Sequence, residues 1–125
     1  MKSRWKSLHS LDPDREYLVV ASSIPAKKFS STWSMFRGAS AVRRQLAGTD
    51  GVIGFSLLAE PFSKNYATLS VWTGEEALDA FVAETPHREI MADLAPAMGP
   101  TRFVKWTISG ADGLPAWPDA LHRLR

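Results

Sequence analysis

The sequence of 125 residues contains no cysteine, which excludes disulfide bonds, thiolate nucleophiles and zinc sites built on cysteine. It also has no apolar run close to the ~20 residues that a membrane-spanning helix requires. The first residues, MKSRWKSLHSLDPDRE, lack the apolar segment of a signal peptide. We therefore expect a cytoplasmic protein that has no membrane as a partner.

The chain also lacks a large excess of positive or negative charge, because its formal net charge is only +2. Its lysines and arginines are scattered along the sequence. A nucleic-acid-binding protein would show a basic patch with interleaved aromatic residues, so we expect no nucleic-acid partner. Glycine-rich phosphate loops are missing too. The three histidines, His9, His87 and His122, are far apart in the sequence, and none has a second ligand at helical spacing. We expect no metal site and no nucleotide cofactor.

What the chain does contain indicates one globular domain. The apolar content is 45% and there are five tryptophans, which is typical of a folded protein with a hydrophobic core. We predict an N-terminal arm at residues 1–15, a folded domain at residues 16–109 and a C-terminal tail at residues 110–125.

Within the domain, short β-branched runs predict strands, and apolar residues at helical spacing after capping residues predict helices. The predicted strands are 16–24, 52–60, 66–72 and 101–109, and the predicted helices begin after Ser30 or Ser31, after Thr73 and after Thr85. Their order is β-α-β-β-α(α)-β. This order predicts an α+β, ferredoxin-like sandwich in which helices cover one face of an antiparallel sheet.

The predicted strands are apolar on both faces. In the last strand Trp106 and Phe103 point to opposite faces, and in the first strand of the hairpin strict alternation places Ile53 with Phe55, opposite Val52. The second face of such a sheet also needs cover, and in so short a chain a second copy is the simplest cover. We predict a homodimer that forms through this sheet face.

These features, together with the pattern S-V-W…E-A-L-x-A-F…P-H…M, resemble the dimeric α/β-barrel superfamily. The resemblance covers residues 16–109 and is strongest to the antibiotic-biosynthesis-monooxygenase-like proteins and their uncharacterised relatives. The residues that carry it are Gly51, Gly54, Phe55, 66–72, 76–81, His87, Met91, Phe103 and Trp106. The superfamily includes cofactor-free oxygenases, haem-degrading enzymes, haem-dependent peroxidases and isomerases, so the resemblance implies the fold without selecting one reaction.

His87 is the candidate catalytic residue. It follows Pro86 at the start of the predicted third helix and shares a helical face with Met91, which directs it toward the core or a pocket. The helix N-terminus and burial both disfavour the imidazolium cation, and a neutral imidazole serves as a general base or an iron ligand. The alternative is a core histidine whose ring N–H donates to a backbone carbonyl or a hydroxyl.

A small, mainly apolar pocket is predicted beside His87. Its predicted substrate-binding residues are Phe36, Arg37, Tyr66, Ser70, Trp72, Phe81, Met91 and Trp106. Hydroxyls next to large aromatic side chains are typical of a mixed ligand pocket. The favoured alternative for Trp72 is that it plugs the end of the barrel while the hydroxyls bond locally. Phe36 and Arg37 either overhang the pocket entrance or widen the core stripe of the first helix.

The preferred function is cofactor-independent oxygenation of a small aromatic or polyketide-like ligand, in which His87 takes a phenolic proton. This hypothesis combines the resemblance with the helical placement of His87. One alternative is a non-catalytic dimer that binds a small ligand or has a structural role. Another is a haem-binding protein with His87 as the iron ligand. The haem-degrading branch has a tryptophan where this chain has Phe81 and an asparagine on the first strand, which residues 16–24 lack.

Overall fold

The chain is analysed as a computed structural model that describes residues 5–25, 32–60, 65–83, 92 and 101–124. In the first helix the described side chains are those of residues 37 and 40–47.

Four of the five strands, and the helices between them, follow the predicted order. The elements are β1 (Lys6–Ser7), β2 (Glu16–Ser23), α1 (Thr32–Ala47), β3 (Val52–Glu60), β4 (Asn65–Trp72), α2 (Glu75–Ala83), β5 (Arg102–Ser109), a 3-10 turn (Gly110–Asp112) and α3 (Trp117–Arg123). The predicted strands agree with β2 to β5 to within one residue at each end. The predicted helix after Thr85 lies outside the described residues.

The strands form one antiparallel sheet in the order β1-β3-β4-β2-β5. β2 lies between β4 and β5, with Leu18 opposite both Trp72 and Thr107. This is the strand order of two split βαβ units, and the predicted α+β ferredoxin-like fold is confirmed. The N-terminal arm adds β1 to the outer edge of β3, where Lys6 lies opposite Phe55.

One face of the sheet packs against α1 and α2. This helix-side core consists of Val20, Val52, Phe55 and Trp72 from the sheet, Leu46 from α1, and Leu78 and Phe81 from α2. The amphipathic spacing of the two helices accounts for this contact, because it places their apolar residues on one stripe.

The opposite face packs against the two ends of the chain. This tail-side core joins Tyr17, Val19, Ala21, Ile53, Leu58, Ala67, Leu69 and Val71 of the sheet to Trp117, Ala120 and Leu124 in and beside α3. Trp5 and Leu11 of the arm pack against it as well. The chain itself therefore covers the central strands of this face, which we had predicted to be covered by a second copy.

A β-bulge in β3 changes which side chains share a face. Val52 pairs with Trp72 but Gly54 pairs with Val71, so one extra residue stands between them. As a result Val52 and Phe55 both lie in the helix-side core, and Ile53 lies in the tail-side core. The prediction that Ile53 and Phe55 share a face was wrong, because strict alternation does not continue through a bulge.

The arm and the tail are also joined to each other. The amide N–H of Asp12 donates to the Tyr17 hydroxyl at 2.8 Å, and that of Gly110 donates to the carbonyl oxygen of Arg15 at 2.8 Å. The Ser109 hydroxyl donates to the carbonyl oxygen of Pro13 at 3.4 Å. Residues before β2 and after β5 thus pack against one another beside the sheet.

Candidate functional site

A row of polar side chains runs along β4 on the helix side of the sheet. Thr68, Ser70 and Trp72 share this face because alternate residues of a strand point the same way. The Thr68 hydroxyl is hydrogen-bonded to the hydroxyl of Ser22 on β2, and the Ser70 hydroxyl donates to the carbonyl oxygen of Val20 at 3.5 Å. The row therefore lies at the centre of the sheet, beneath the helices.

Trp72 is packed rather than open to a ligand. Its side chain is 1% exposed, its indole Nε1–H donates to the Ser70 hydroxyl at 2.8 Å, and its ring centroid lies 5.3 Å from that of Phe81 at a tilt of 53°. Phe81 is itself only 4% exposed. Tilted aromatic rings at this distance with the indole N–H satisfied are typical of a core contact. These contacts match the alternative in which Trp72 fills the end of the barrel.

Tyr66 lies on the same side of the sheet but far from this cluster. It is buried at the start of β4, opposite Ala59. Six residues separate it from Trp72, which is about 20 Å along a strand. One small ligand therefore cannot contact both Tyr66 and Trp72.

Trp106 lies on the other face of the sheet. It is opposite Val19 on β2 and packs against the tail-side core, where the guanidinium carbon of Arg123 lies 4.4 Å from the centroid of its ring. The sheet thus separates Trp106 from Phe81. The prediction that these two residues line one cavity requires correction, because the parity of β5 directs Trp106 away from the helices.

The predicted catalytic residue His87 and the predicted lining residue Met91 lie outside the described residues. Phe36 belongs to α1, and its side chain also lies outside the described set. Arg37 is exposed on α1. Of the predicted site residues, the structure brings together Ser70, Trp72 and Phe81.

Two surface grooves are lined by other residues. One has a volume of about 360 Å³ and is lined by Lys6, Ser40, Arg43, Arg44, Ala47 and Phe55; we call it the basic groove. The other has a volume of about 690 Å³ and is lined by Arg15, Asp50, Gly51, Thr73, Gly74, Glu75, Glu76 and Ala77. None of the described residues that line these grooves is a predicted site residue.

Sequence reasoning missed the basic groove because its cations come from distant parts of the chain. β1 carries Lys6, and the last half of α1 carries Arg43 and Arg44. One local signal was available: α1, TWSMFRGASAVRRQLA, has arginines but no acidic residue to pair with them.

Further features bear on chemistry at the site. In the described part of the chain, no three carboxylate or imidazole side chains are grouped closely enough to hold a metal ion. No helix there has the length and apolar character needed to cross a membrane.

The hydrogen bond and the charge of Glu75 raise the pKa of Lys105 above its ordinary value. This pair joins β5 to α2 at a Nζ–Oε1 distance of 2.7 Å.

Comparison with protein-family models finds no match, and comparison with curated proteins finds none either. Solved structures do match. A dimeric ferredoxin-like protein of unknown function from Thermobifida fusca superposes with a TM-score of 0.65 at 13% identity, covering 80% of this chain and 98% of that one. The chain has the same ferredoxin-like fold.

Two further matches bear on the predicted resemblance. A candidate antibiotic biosynthesis monooxygenase from Nitrosomonas europaea has a TM-score of 0.64 at 14% identity, covering 71% of this chain and 95% of that one. A variant of SnoaB, a cofactor-independent oxygenase from Streptomyces nogalater, has a TM-score of 0.56 at 18% identity, covering 74% and 92%. The resemblance to antibiotic-biosynthesis-monooxygenase-like proteins is confirmed at the level of the fold, which is all that identities this low support.

Proposed function

We propose that this protein is a cofactor-independent oxygenase that acts on a small aromatic or polyketide-like molecule. The observation that carries the proposal is the fold match to SnoaB, a cofactor-independent oxygenase, over 92% of that chain. The match to the Nitrosomonas europaea protein over 95% of its length gives further support.

In the proposed mechanism the substrate supplies its own electrons. His87, as a neutral imidazole, takes a proton from a phenol or an acidic ring carbon and leaves an electron-rich anion. The anion reacts with O₂, so that one oxygen atom becomes a carbonyl on the ring carbon and the other leaves as water. A ring CH₂ group thereby becomes C=O, and no external reductant is required.

The described contacts restrict where the substrate would lie. Trp72 and Ser70 already bond to each other, and Trp106 is across the sheet. We therefore propose that the substrate binds on the helix side of the sheet, with the predicted residues His87 and Met91 as its neighbours. Phe81 would contact the substrate only through its small exposed fraction, since it is packed on Trp72. Arg37, which is exposed on α1, would orient an anionic oxygen of the substrate.

Oxygen consumption tests this proposal. Purified protein is incubated with a panel of hydroxylated anthrones and quinols, and O₂ uptake is measured together with the quinone product. For a substrate that is turned over, we expect His87→Ala to lower the rate by about 10²–10⁴-fold, as loss of a general base does. His122→Ala, which removes an exposed histidine on α3, is the matched control and should change the rate less than about twofold. The proposal is rejected if His87→Ala retains the full rate, or if no compound in the panel supports O₂ uptake.

The rival function is a non-catalytic dimer that binds a small ligand or has a structural role. It is favoured by the filled contact between Trp72 and Phe81, because these two predicted lining residues stabilise the core instead of facing an open space. Saturable binding of a panel compound without O₂ uptake, in both the wild type and His87→Ala, would support this rival.

Haem binding is a weaker alternative. In the haem-degrading branch that the sequence resembles, a tryptophan stands where this chain has Phe81, and Phe81 is packed on Trp72. Titration with haemin tests the point, since ligation by His87 would give a shifted Soret band that His87→Ala abolishes.

We also propose that the protein forms a homodimer through the tail-side face of the sheet, as one structural neighbour is described as a dimeric protein. α3 covers the central strands of that face. Val104, Trp106 and Ile108 on β5 are only partly buried there. The proposed contact therefore falls on the β5 half of the face.

Two adjacent residues of β5 provide a matched test of the interface. Val104 points to the tail side, whereas Phe103 is 66% exposed and, by strand parity, points to the other face. In sedimentation-velocity measurements we expect Val104→Asp to shift the protein to the monomer and Phe103→Asp to leave the dimer intact. A wild type that stays monomeric at concentrations of about 100 μM, or a dimer lost only with Phe103→Asp, would contradict this interface.

A further inference from the structure

The basic groove has a defined shape and composition. It is a surface groove between β1 and the last half of α1, with a volume of about 360 Å³. Lys6, Arg43 and Arg44 supply three cationic groups, Ser40 adds a hydroxyl, and Phe55 lies beneath them. Among the described residues that line it, none carries a carboxylate.

The cations of the groove are not paired within the described part of the chain. The two ion pairs found there are Lys105–Glu75 and Arg123–Asp119, and neither includes a groove residue. α1 itself contains no aspartate or glutamate, so its arginines have no acidic partner one turn away on the same helix. Like charges held together in this way repel one another and are stabilised by a bound anion.

The fold places these groups before any ligand arrives. The amide N–H of Leu8 donates to the carbonyl oxygen of Ile53 at 2.9 Å, and β1 pairs Lys6 with Phe55. Trp5 lies against Gly54, where a Cβ atom would be 3.5 Å from the indole ring. The arm is therefore anchored on both sides of Lys6. The anchored backbone positions the exposed Lys6 side chain, so binding loses less conformational entropy than it would with a mobile arm.

We propose that the basic groove binds a small multivalent anion, either a phosphate-bearing molecule or a polycarboxylate. Arg43 and Arg44 would donate guanidinium N–H groups to its oxygen atoms, Lys6 its ammonium group and Ser40 its hydroxyl. The volume of about 360 Å³ is at the small end of the range for small-molecule sites, roughly 300–1,000 Å³. The site goes beyond the proposed oxygenase function, since none of its described lining residues belongs to the predicted substrate pocket.

Isothermal titration calorimetry with pyrophosphate and with citrate tests the site. Each probe is titrated into the wild type and into Arg43→Gln, Arg44→Gln and Lys6→Gln at a fixed ionic strength. We expect saturable 1:1 binding by at least one probe. Each substitution should weaken it at least about fivefold, because charge-assisted hydrogen bonds to an oxyanion are lost. Tighter binding of pyrophosphate would identify a phosphate group as the natural ligand group, and tighter binding of citrate would identify carboxylates.

Arg102→Gln is the matched control. Arg102 is exposed on β5 and does not line the groove, so the substitution removes the same charge elsewhere on the molecule. We expect a change in affinity of less than about twofold. Circular dichroism should show that all four variants fold.

Three results would overturn the proposal. The first is the absence of saturable binding for both probes. The second is an equal loss of affinity in Arg102→Gln and Arg43→Gln, which would show only a response to net charge. The third is binding of duplex DNA without binding of either probe, which would identify the groove as part of a macromolecular surface.

Discussion

The indole Nε1–H of Trp117 donates a hydrogen bond of 2.9 Å to the hydroxyl of Ser56, joining α3 to the middle of β3. Ser56 is fully buried and Trp117 is 7% exposed, so water does not compete for the bond. This contact holds the C-terminal tail on the face of the sheet that the sequence had assigned to a partner subunit.

Trp117→Phe should destabilise the protein by about 1–2 kcal/mol, because the substitution keeps most of the ring but removes the buried N–H donor. Urea unfolding followed by circular dichroism measures the loss. Trp106→Phe is the control, because in the described part of the structure the indole N–H of Trp106 donates no hydrogen bond. It should lower the free energy of unfolding by less. A double-mutant cycle with Ser56→Ala isolates the pair. Additive effects of the two substitutions would show that the hydrogen bond does not stabilise the docked helix.

Phe81→Ala should lower the free energy of unfolding by about 3–5 kcal/mol, since it removes a buried ring that packs on Trp72. Val82→Ala is the neighbouring control, because Val82 is 47% exposed and should change stability by no more than about 0.5 kcal/mol. Thermal or urea unfolding gives both values. If Phe81→Ala costs as little as the control, Phe81 faces an open space and the case for a packed core at this position fails.

Gly51→Ala should be clearly more destabilising than Gly113→Ala. Both glycines have positive φ angles, 88° and 77°, and Gly113 combines its φ with a ψ of −176°, so an L-residue is strained at either position by roughly 1–3 kcal/mol. At Gly51 an added methyl group would also overlap the side chain of Ala77 at the start of α2, whereas at Gly113 no atom lies within 4 Å. We expect an extra cost of at least about 1 kcal/mol at Gly51 in urea unfolding. Equal costs would indicate that α2 moves aside freely.

Lys105 should titrate above the ordinary lysine range, and Glu75→Gln should lower its pKa. The hydrogen bond to Glu75 is the main cause of the raised pKa, followed by the charge of the same carboxylate. Because the pKa is raised in the folded state, the pair stabilises the fold fully below the ordinary lysine pKa and loses this contribution as the pH rises through the raised value. Both side chains are largely exposed, so the effect on stability is small. NMR titration of the lysine side chains measures the pKa of Lys105. This pKa would stay unchanged in Glu75→Gln if the ion pair does not form in solution.

Much of the fold could be predicted because its signals are local. The β-branched run before Pro25 and the apolar alternation before Trp72 identify β2 and β4 without any knowledge of their partners. The order of the elements then restricts the sheet to a ferredoxin-like topology. The bulge at Ile53 left no such signal, because a single extra residue in a strand is visible only through its partner strand.

The candidate site was less predictable, since it depends on which faces meet. Tyr66, Ser70 and Trp72 were expected to line one pocket, and they do share a face of β4, but the distance along that strand separates Tyr66 from Trp72. Trp106 was expected to join Phe81, and the parity of β5 places it on the other side of the sheet. His87 remains a prediction from its position after Pro86.

The sequence by itself determined the elements, their order and the apolar character of both sheet faces, because periodicity and capping residues act within a few neighbours. Only the tertiary structure decided what covers the second face. It also decided that Lys6 meets Arg43 and Arg44 in one groove. Both outcomes join segments that are distant in the sequence, and they depend on packing area and strand pairing, which no local pattern records. The lack of cysteine shows the same division: it excluded a disulfide, and the arm and α3 are held instead by strand pairing, buried apolar contacts and the Trp117–Ser56 hydrogen bond.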